Sequence, residues 1–336
     1  MKTFDPAFFK NDNFVLLKKE YGDFAERINK ETIHICYNVN NAFIPVMGAS
    51  LVSVIENNKD MNIMFHIFTD GYSEENEQYI KEVAERFHCV CNLYKLNMKP
   101  FQGYHIKVER FSRITYTRTV MAKLLHGTAK RFIYIDADAM CIASLKELWN
   151  MDLKGHIIAV TPDHPNSNKY RAEYLKLKSG KYFNDGIMLV DVDAWEKYNI
   201  TPKCFAYQDE PRKRFLGQDQ DIMNLVFDGD VYFLPHQYNI TAGGDDYDTT
   251  QGVFIHWTGR RKPWKFVLTE FDHQWRIYNE ISPWPTLTNV YPIKKPQNYH
   301  DFKEWGKYKK SKGDIPGYIW GYFWYVILKI EAKLHL

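Results

Sequence analysis

Little in this 336-residue chain is arranged for covalent cross-linking: it has five cysteines, an odd number, and the two nearest, Cys89 and Cys91, alternate as strand residues do. Neither a disulfide framework nor a zinc ribbon fits that spacing, and a reducing compartment is expected. The amino terminus, Met-Lys-Thr-Phe-Asp-Pro, offers no apolar run of signal-peptide length, so export is not expected. No Gly-x-Gly-x-x-Gly follows the first apolar run, which removes the dinucleotide-binding dehydrogenases. Excess charge is scarce as well. The formal net charge is +3, too small to argue for nucleic-acid binding across the molecule. Internal repeats and low-complexity tracts are missing too.

What is present is an ordinary globular composition, 45% hydrophobic and 25% charged, with an unusual 16% of aromatic residues. Aromatic excess of that kind is familiar on sugar-handling and membrane-facing surfaces. The length suits one large α/β domain with an appendage. Apolar runs at 32–39, 62–68 and 89–96 read as strands, and 43–55 and 73–87 carry helical spacing, which makes a βαβαβ beginning. That alternation predicts a mostly parallel sheet wrapped by helices, with ligands at the carboxyl ends of the strands. Further on, 112–126 and 219–227 read as helices, and 131–135, 156–160, 186–190, 231–234 and 253–257 as strands. From Ser282 the texture turns Pro-rich and aromatic, so the domain boundary is expected there: 1–281 catalytic, 282–336 a separate carboxyl-terminal region.

Asp-x-Asp occurs five times, at 136/138, 191/193, 219/221, 228/230 and 246/248, so the pattern alone selects nothing. Context favours the first copy, because the apolar strand Arg-Phe-Ile-Tyr-Ile runs straight into Asp136 and Asp138 and delivers two carboxylates to the sheet's carboxyl edge. Carboxylates there suit a hard octahedral cation such as Mn²⁺ or Mg²⁺. The second, fourth and fifth copies read as a strand exit, a turn and a loop. His256 follows another apolar run that should end at the same edge. A lone histidine in such a place is commonly a packed side chain. Here Gly259 frees backbone amides and Arg260, Arg261 and Lys262 supply cations for phosphate oxygens, which favours a metal-diphosphate site.

Taken in order, Tyr116-Thr117-Arg118, Asp136-Ala137-Asp138, Tyr182-Phe183-Asn184-Asp185-Gly186, Asp219-Gln220-Asp221-Ile222-Met223-Asn224 and His256 through Trp264 resemble glycosyltransferase family eight. The likeness is to its bacterial lipopolysaccharide glucosyl- and galactosyltransferases, over roughly residues 32–265, and the tail from Ser282 resembles the extra carboxyl-terminal region of that branch. The resemblance implies an α/β fold of GT-A type with a helical, aromatic appendage. It implies a metal held by Asp136, Asp138 and His256, and a UDP-glucose or UDP-galactose donor bound by Arg118, Asn184, Asp185, Gly259 and Lys262. It also implies catalytic roles for Asp219 and Gln220 in a reaction that retains anomeric configuration. Family members commonly place an Asp in the loop after the first strand, where this chain has Asn40, and Asn can still pair with a uracil edge or a ribose hydroxyl. An amide is a poor nucleophile, so a front-face displacement is expected of Gln220. A glycosidase-like route would need a carboxylate, with Asp219, Asp221 or Asp163 as candidates.

Residues 315–328 form an uncharged run of 14 residues, too short for a confident membrane span, preceded by Lys307, Lys309, Lys310 and Lys312. A basic stretch beside an aromatic one suits the interface of an anionic leaflet. The bland alternative is a terminal helix packed on the domain. Together these readings predict a cytoplasmic enzyme, peripheral to the inner membrane, acting on the lipopolysaccharide core. A transferase with a soluble or capsular acceptor and a non-catalytic sugar-nucleotide-binding protein are the rivals. The choice between glucose and galactose turns on the orientation of one hydroxyl and stays open, as does the acceptor linkage.

Overall fold

The computed structural model describes residues 13–24, 30–104, 106, 112–207, 215–241, 251–259, 261–284 and 296–334. An edge strand, β1 (Val15–Tyr21), precedes the expected alternation of β2 (Thr32–Val39), α1 (Ile44–Glu56), β3 (Asn62–Thr69), α2 (Glu74–Phe87) and β4 (Val90–Leu96). The side chains of β2 and β3 are buried almost without a break, as strands covered on both faces must be. The helix α2 instead carries its apolar residues on one side. Ser73 caps it through the Asn76 amide, Glu74, Glu75 and Glu77 complement the helix dipole, and His88 closes it in a left-handed conformation.

After α3 (Met121–Leu125) come β5 (Arg131–Ile135), β6 (Ala139–Cys141), α4 (Lys146–Trp149), β7 (Ile158–Pro162), α5 (Pro165–Leu175) and β8 (Phe183–Asp191). The helices α6 (Val192–Lys197), α7 (Ile200–Phe205) and α8 (Asp219–Phe227) lead to β9 (Tyr232–Phe233), β10 (Ile240–Thr241), β11 (Phe254–His256) and α9 (Glu270–Ile281). The helix expected over 112–126 forms only in part: Arg113–Thr119 is a tighter 3₁₀ segment. Its threonines explain this. Thr115, Thr117 and Thr119 each return a hydroxyl hydrogen bond to the carbonyl three residues back, which draws the turn tight.

The main sheet has the order β1-β4-β3-β2-β5-β8-β7-β9, and the small one β10-β11-β6. Only β1 and β8 run against the other strands of the large sheet, so it is mostly parallel. The reversal of β8 matters for function. Because it pairs antiparallel with β5, its beginning at Asn184-Asp185-Gly186 meets the end of β5 at Asp136, whose amide donates to the Gly186 carbonyl at 2.8 Å. Apolar clusters fill both faces of the sheet, and Trp284, beyond α9, is still buried in the body. All five cysteines are buried and unpaired.

Two further helices, α10 (Tyr299–Ser311) and α11 (Ile315–Leu334), form a hairpin. They cross at glycines: a Cβ on Gly321 would stand 2.7 Å from Gly306 Cα, so Gly321 has no room for a side chain, and one on Gly306 would press on the Tyr322 ring at 3.0 Å. None of the helices among the described residues is long and apolar enough to cross a membrane.

Candidate functional site

Asp136 and Asp138 follow β5, and His256 ends β11, which pairs with β6 so that His256 stands opposite Ala139. This brings together the three residues expected to bind a metal. Their ligand atoms all lie within 4.8 Å of one another, with His256 Nε2 3.2 Å from Asp138 Oδ1 and 3.5 Å from Asp136 Oδ2. Two carboxylates and an imidazole form a donor set that fits a divalent cation. Gly186 faces them, and a Cβ there would intrude on both His256 and Asp136. A cavity of about 460 Å³ opens beside the cluster, also lined by Asn40, Asn184, Asp185, Asp219, Gln220, Gly259 and Lys262.

Arg118 is buried among carboxylates. Its guanidinium meets Asp136 Oδ1 at 2.8 Å, Asp185 Oδ1 at 2.5 Å and Asp219 Oδ2 at 3.3 Å, and lies over the Tyr134 ring. Burial pushes the Asp185 and Asp219 carboxyls up while Arg118 pulls against it. Lys262 pairs with Asp138 and the Trp257 carbonyl. Burial also opposes ionisation of Asp138, but Lys262 and His256 outweigh it and hold that carboxyl well below its usual range. Four carboxylates, Asp136, Asp138, Asp185 and Asp219, thus meet only two permanent cations.

Gln220 is held at both ends of its amide, accepting from Asn184 Nδ2 at 3.2 Å and donating to Asp163 Oδ2 at 3.1 Å. Asn40 lines the cavity, and its side-chain oxygen caps the turn at Phe43. Gly259, at φ +86°, supplies the left-handed turn before Lys262.

Two expectations change. Arg261, read as a phosphate cation, turns inward to chelate Asp272 at 2.5 and 2.6 Å; Arg260 lies outside the described residues. Asp221, weighed as a nucleophile, is fully buried against Arg171, the Tyr182 hydroxyl and the Gly217 amide. Sequence reasoning missed Tyr134, whose hydroxyl reaches Asp136 Oδ1 at 2.6 Å, and Asn239, which meets His256 Nδ1 at 3.0 Å. Tyr134 had a usable signal, since a hydroxyl two residues before Asp136 in a strand shares its face. Asn239 had none.

Residues 34–267 match the family described as glycosyl transferase family 8. The lipopolysaccharide 1,2-glucosyltransferase of Escherichia coli K12 is 29% identical over 76% of this chain and 79% of its own. The lipopolysaccharide 1,3-galactosyltransferase of Salmonella typhimurium is 23% identical over 88% and 92%. A crystal structure of galactosyltransferase LgtC, in complex with donor and acceptor sugar analogues, superposes with a TM-score of 0.68 at 19% identity, covering 75% of this chain and 96% of that one. The fold is therefore that of a GT-A-type glycosyltransferase. The chain belongs to glycosyl transferase family 8.

Proposed function

We propose that the protein is a retaining hexosyltransferase that moves glucose or galactose from the UDP-sugar to a hexose of the lipopolysaccharide outer core. The names of its Escherichia coli and Salmonella relatives support this reading. The observation that carries it is one cavity lined at once by Asp136, Asp138, His256 and the doubly held amide of Gln220. Mn²⁺ or Mg²⁺ would be held by the two aspartates and His256 Nε2, and when bound would neutralise charge developing on the departing diphosphate. Lys262 and the turn at Gly259 bring a cation and backbone groups to the same place, and Arg118 fixes the orientation of Asp136. Asn40, Asn184 and Asp185 contribute polar groups for the donor. With Asp221 sequestered, the Gln220 amide supports the electron-poor anomeric carbon while the acceptor enters on the face that UDP leaves, and Asp219 stays tied to Arg118 behind it.

Residues 1–281 form the catalytic part of this reading and 282–336 a membrane-associating region. On α11, Ile315, Ile319, Phe323, Val326, Ile330 and Leu334 are all about half exposed or more and recur at helical spacing. The hairpin also carries seven lysines, from Lys303 to Lys333. An apolar stripe flanked by lysines suits the surface of an anionic leaflet, here the cytoplasmic face of the inner membrane. The test is UDP release from UDP-glucose and UDP-galactose in turn, with a defined truncated lipopolysaccharide, with and without Mn²⁺. Acceptor-dependent release from one donor, lost on chelation, is the expected result. No release from either donor with acceptor and Mn²⁺ present would overturn the reading.

A further inference from the structure

His256 has two ring nitrogens, and a chain of hydrogen bonds determines which one carries the proton. It begins at the Gly186 backbone N–H, which can only donate and does so to Asn184 Oδ1 at 3.1 Å. That contact orients the Asn184 amide, whose nitrogen then faces Gln220. Asn239 meets the same Asn184 oxygen, so it must present its own Nδ2, at 2.7 Å. Its Oδ1 is thereby turned to His256 Nδ1, at 3.0 Å. An amide oxygen only accepts. Nδ1 therefore carries a proton, and Nε2 is the nitrogen that faces Asp138 Oδ1 at 3.2 Å and Asp136 Oδ2 at 3.5 Å. Asn239 and His256 are 2% and 3% exposed, so the contact is buried.

We propose that Asn239 is a positioning residue that locks His256 in its Nδ1–H tautomer and so presents Nε2 to a divalent cation; the inference rests on the metal site of the proposed function. Hydrogen bonding at the far nitrogen of a ligating histidine fixes ring orientation and basicity, and losing it costs roughly 10- to 100-fold in metal affinity. The same chain continues through Asn184 to Gln220 and Asp163, so one backbone amide orients groups on both sides of the cavity.

Two measurements test it. The first is calorimetric titration of the full-length wild type, Asn239→Leu and Asn239→Asp with Mn²⁺ alone, with melting in chelator as the control for folding. Leu fills a similar volume but cannot accept, so its affinity should fall about 10- to 100-fold. Asp keeps the acceptor for Nδ1–H while losing the donor to Asn184, and should retain most of the wild-type affinity. Wild-type affinity in the Leu variant, or equal loss in a folded Asp variant, overturns the proposal, since Asn239 would then merely prop Asn184. The second measurement needs neither a variant nor a metal: nitrogen-15 histidine spectra of the wild type in chelator, read at His256 Nδ1. A proton on Nδ1 is expected, and a bare Nδ1 with the proton on Nε2 alone would refute the assignment. A wild type with the Nδ1–H tautomer but no Mn²⁺ binding would sink the metal site, and with it the ligand role of His256, while leaving the tautomer lock standing.

Discussion

The sharpest single perturbation of the site is one methyl group at Gly186. A Cβ there would lie 2.3 Å from His256 Cε1, 2.9 Å from His256 Nδ1 and 2.7 Å from Asp136 Oδ2. Non-bonded carbons settle no closer than roughly 3.5 Å, so in Gly186→Ala the imidazole must retreat by about 1 Å. Gly186 is not among the residues with positive φ, so the methyl acts through its neighbours rather than through the backbone. Overpacking of this kind costs about 1–3 kcal/mol, which a domain of this size should survive. Ligation is far less tolerant, since metal–ligand distances hold to about ±0.2 Å. A displacement near 1 Å at a catalytic group can cost on the order of 100-fold in rate. We therefore expect Gly186→Ala to fold with a lowered melting temperature, to bind Mn²⁺ much more weakly by calorimetry and to transfer sugar at about a hundredth of the wild-type rate or less. Gly71→Ala, where a Cβ meets nothing within 4 Å, is the matched control. If Gly186→Ala bound Mn²⁺ and transferred sugar as the wild type does, the argument that these ligands converge on a cation would fail.

Asp138→Asn should fold, with a melting temperature lowered because Lys262 loses its charged partner, and should abolish transfer, whereas Asp193→Asn should keep full activity; equal losses in both would show that the wrong Asp-x-Asp was chosen. Gln220→Ala should lower kcat with little change in the apparent affinity for the donor, as for an interaction made mainly in the transition state, and unchanged kcat would remove Gln220 from the reaction. Replacing Ile319 and Phe323 by Glu should change stability by no more than about 0.5 kcal/mol at each exposed position, yet release the protein from anionic vesicles in a sedimentation assay. Continued sedimentation would mean that this face of α11 does not meet lipid.

Strands β2, β3 and β5 were legible because burial on both faces leaves continuous apolar runs, and such runs advertise themselves without any tertiary knowledge. Asp136 and Asp138 were legible because one of these runs ends on them. The third Asp-x-Asp shows the limit of reading a motif as a unit. Residues two apart on α8 do not share a face, so Asp219 turns to Arg118 while Asp221 turns to Arg171. Arg261 misled because its partner Asp272 serves a capping box on α9 that lies 11 residues further on. Asn239 was invisible for a similar reason, its partners standing 17 and 55 positions away in the sequence. The short strands β6 and β10 carry too few residues for a period to show. Above all, periodicity contains no direction, so nothing in 183–191 announced that β8 runs backwards.

That reversal also divides the molecule into a working edge and an idle one. From Gly186, which faces the metal ligands, β8 runs five residues on to Asp191 at about 3.3 Å each, so the far end lies roughly 17 Å from them. Asp191 there pairs with Arg131 at the start of β5, and Arg131 in turn holds the Trp149 and Met151 carbonyls. The exposed turn at Lys154-Gly155 follows directly, with open space around Gly155. A fluorescent label, an affinity handle or an inserted domain attached at that turn would leave the catalytic edge untouched. Immobilised from that side, every molecule on a sensor surface would present its cavity to the solution in the same orientation.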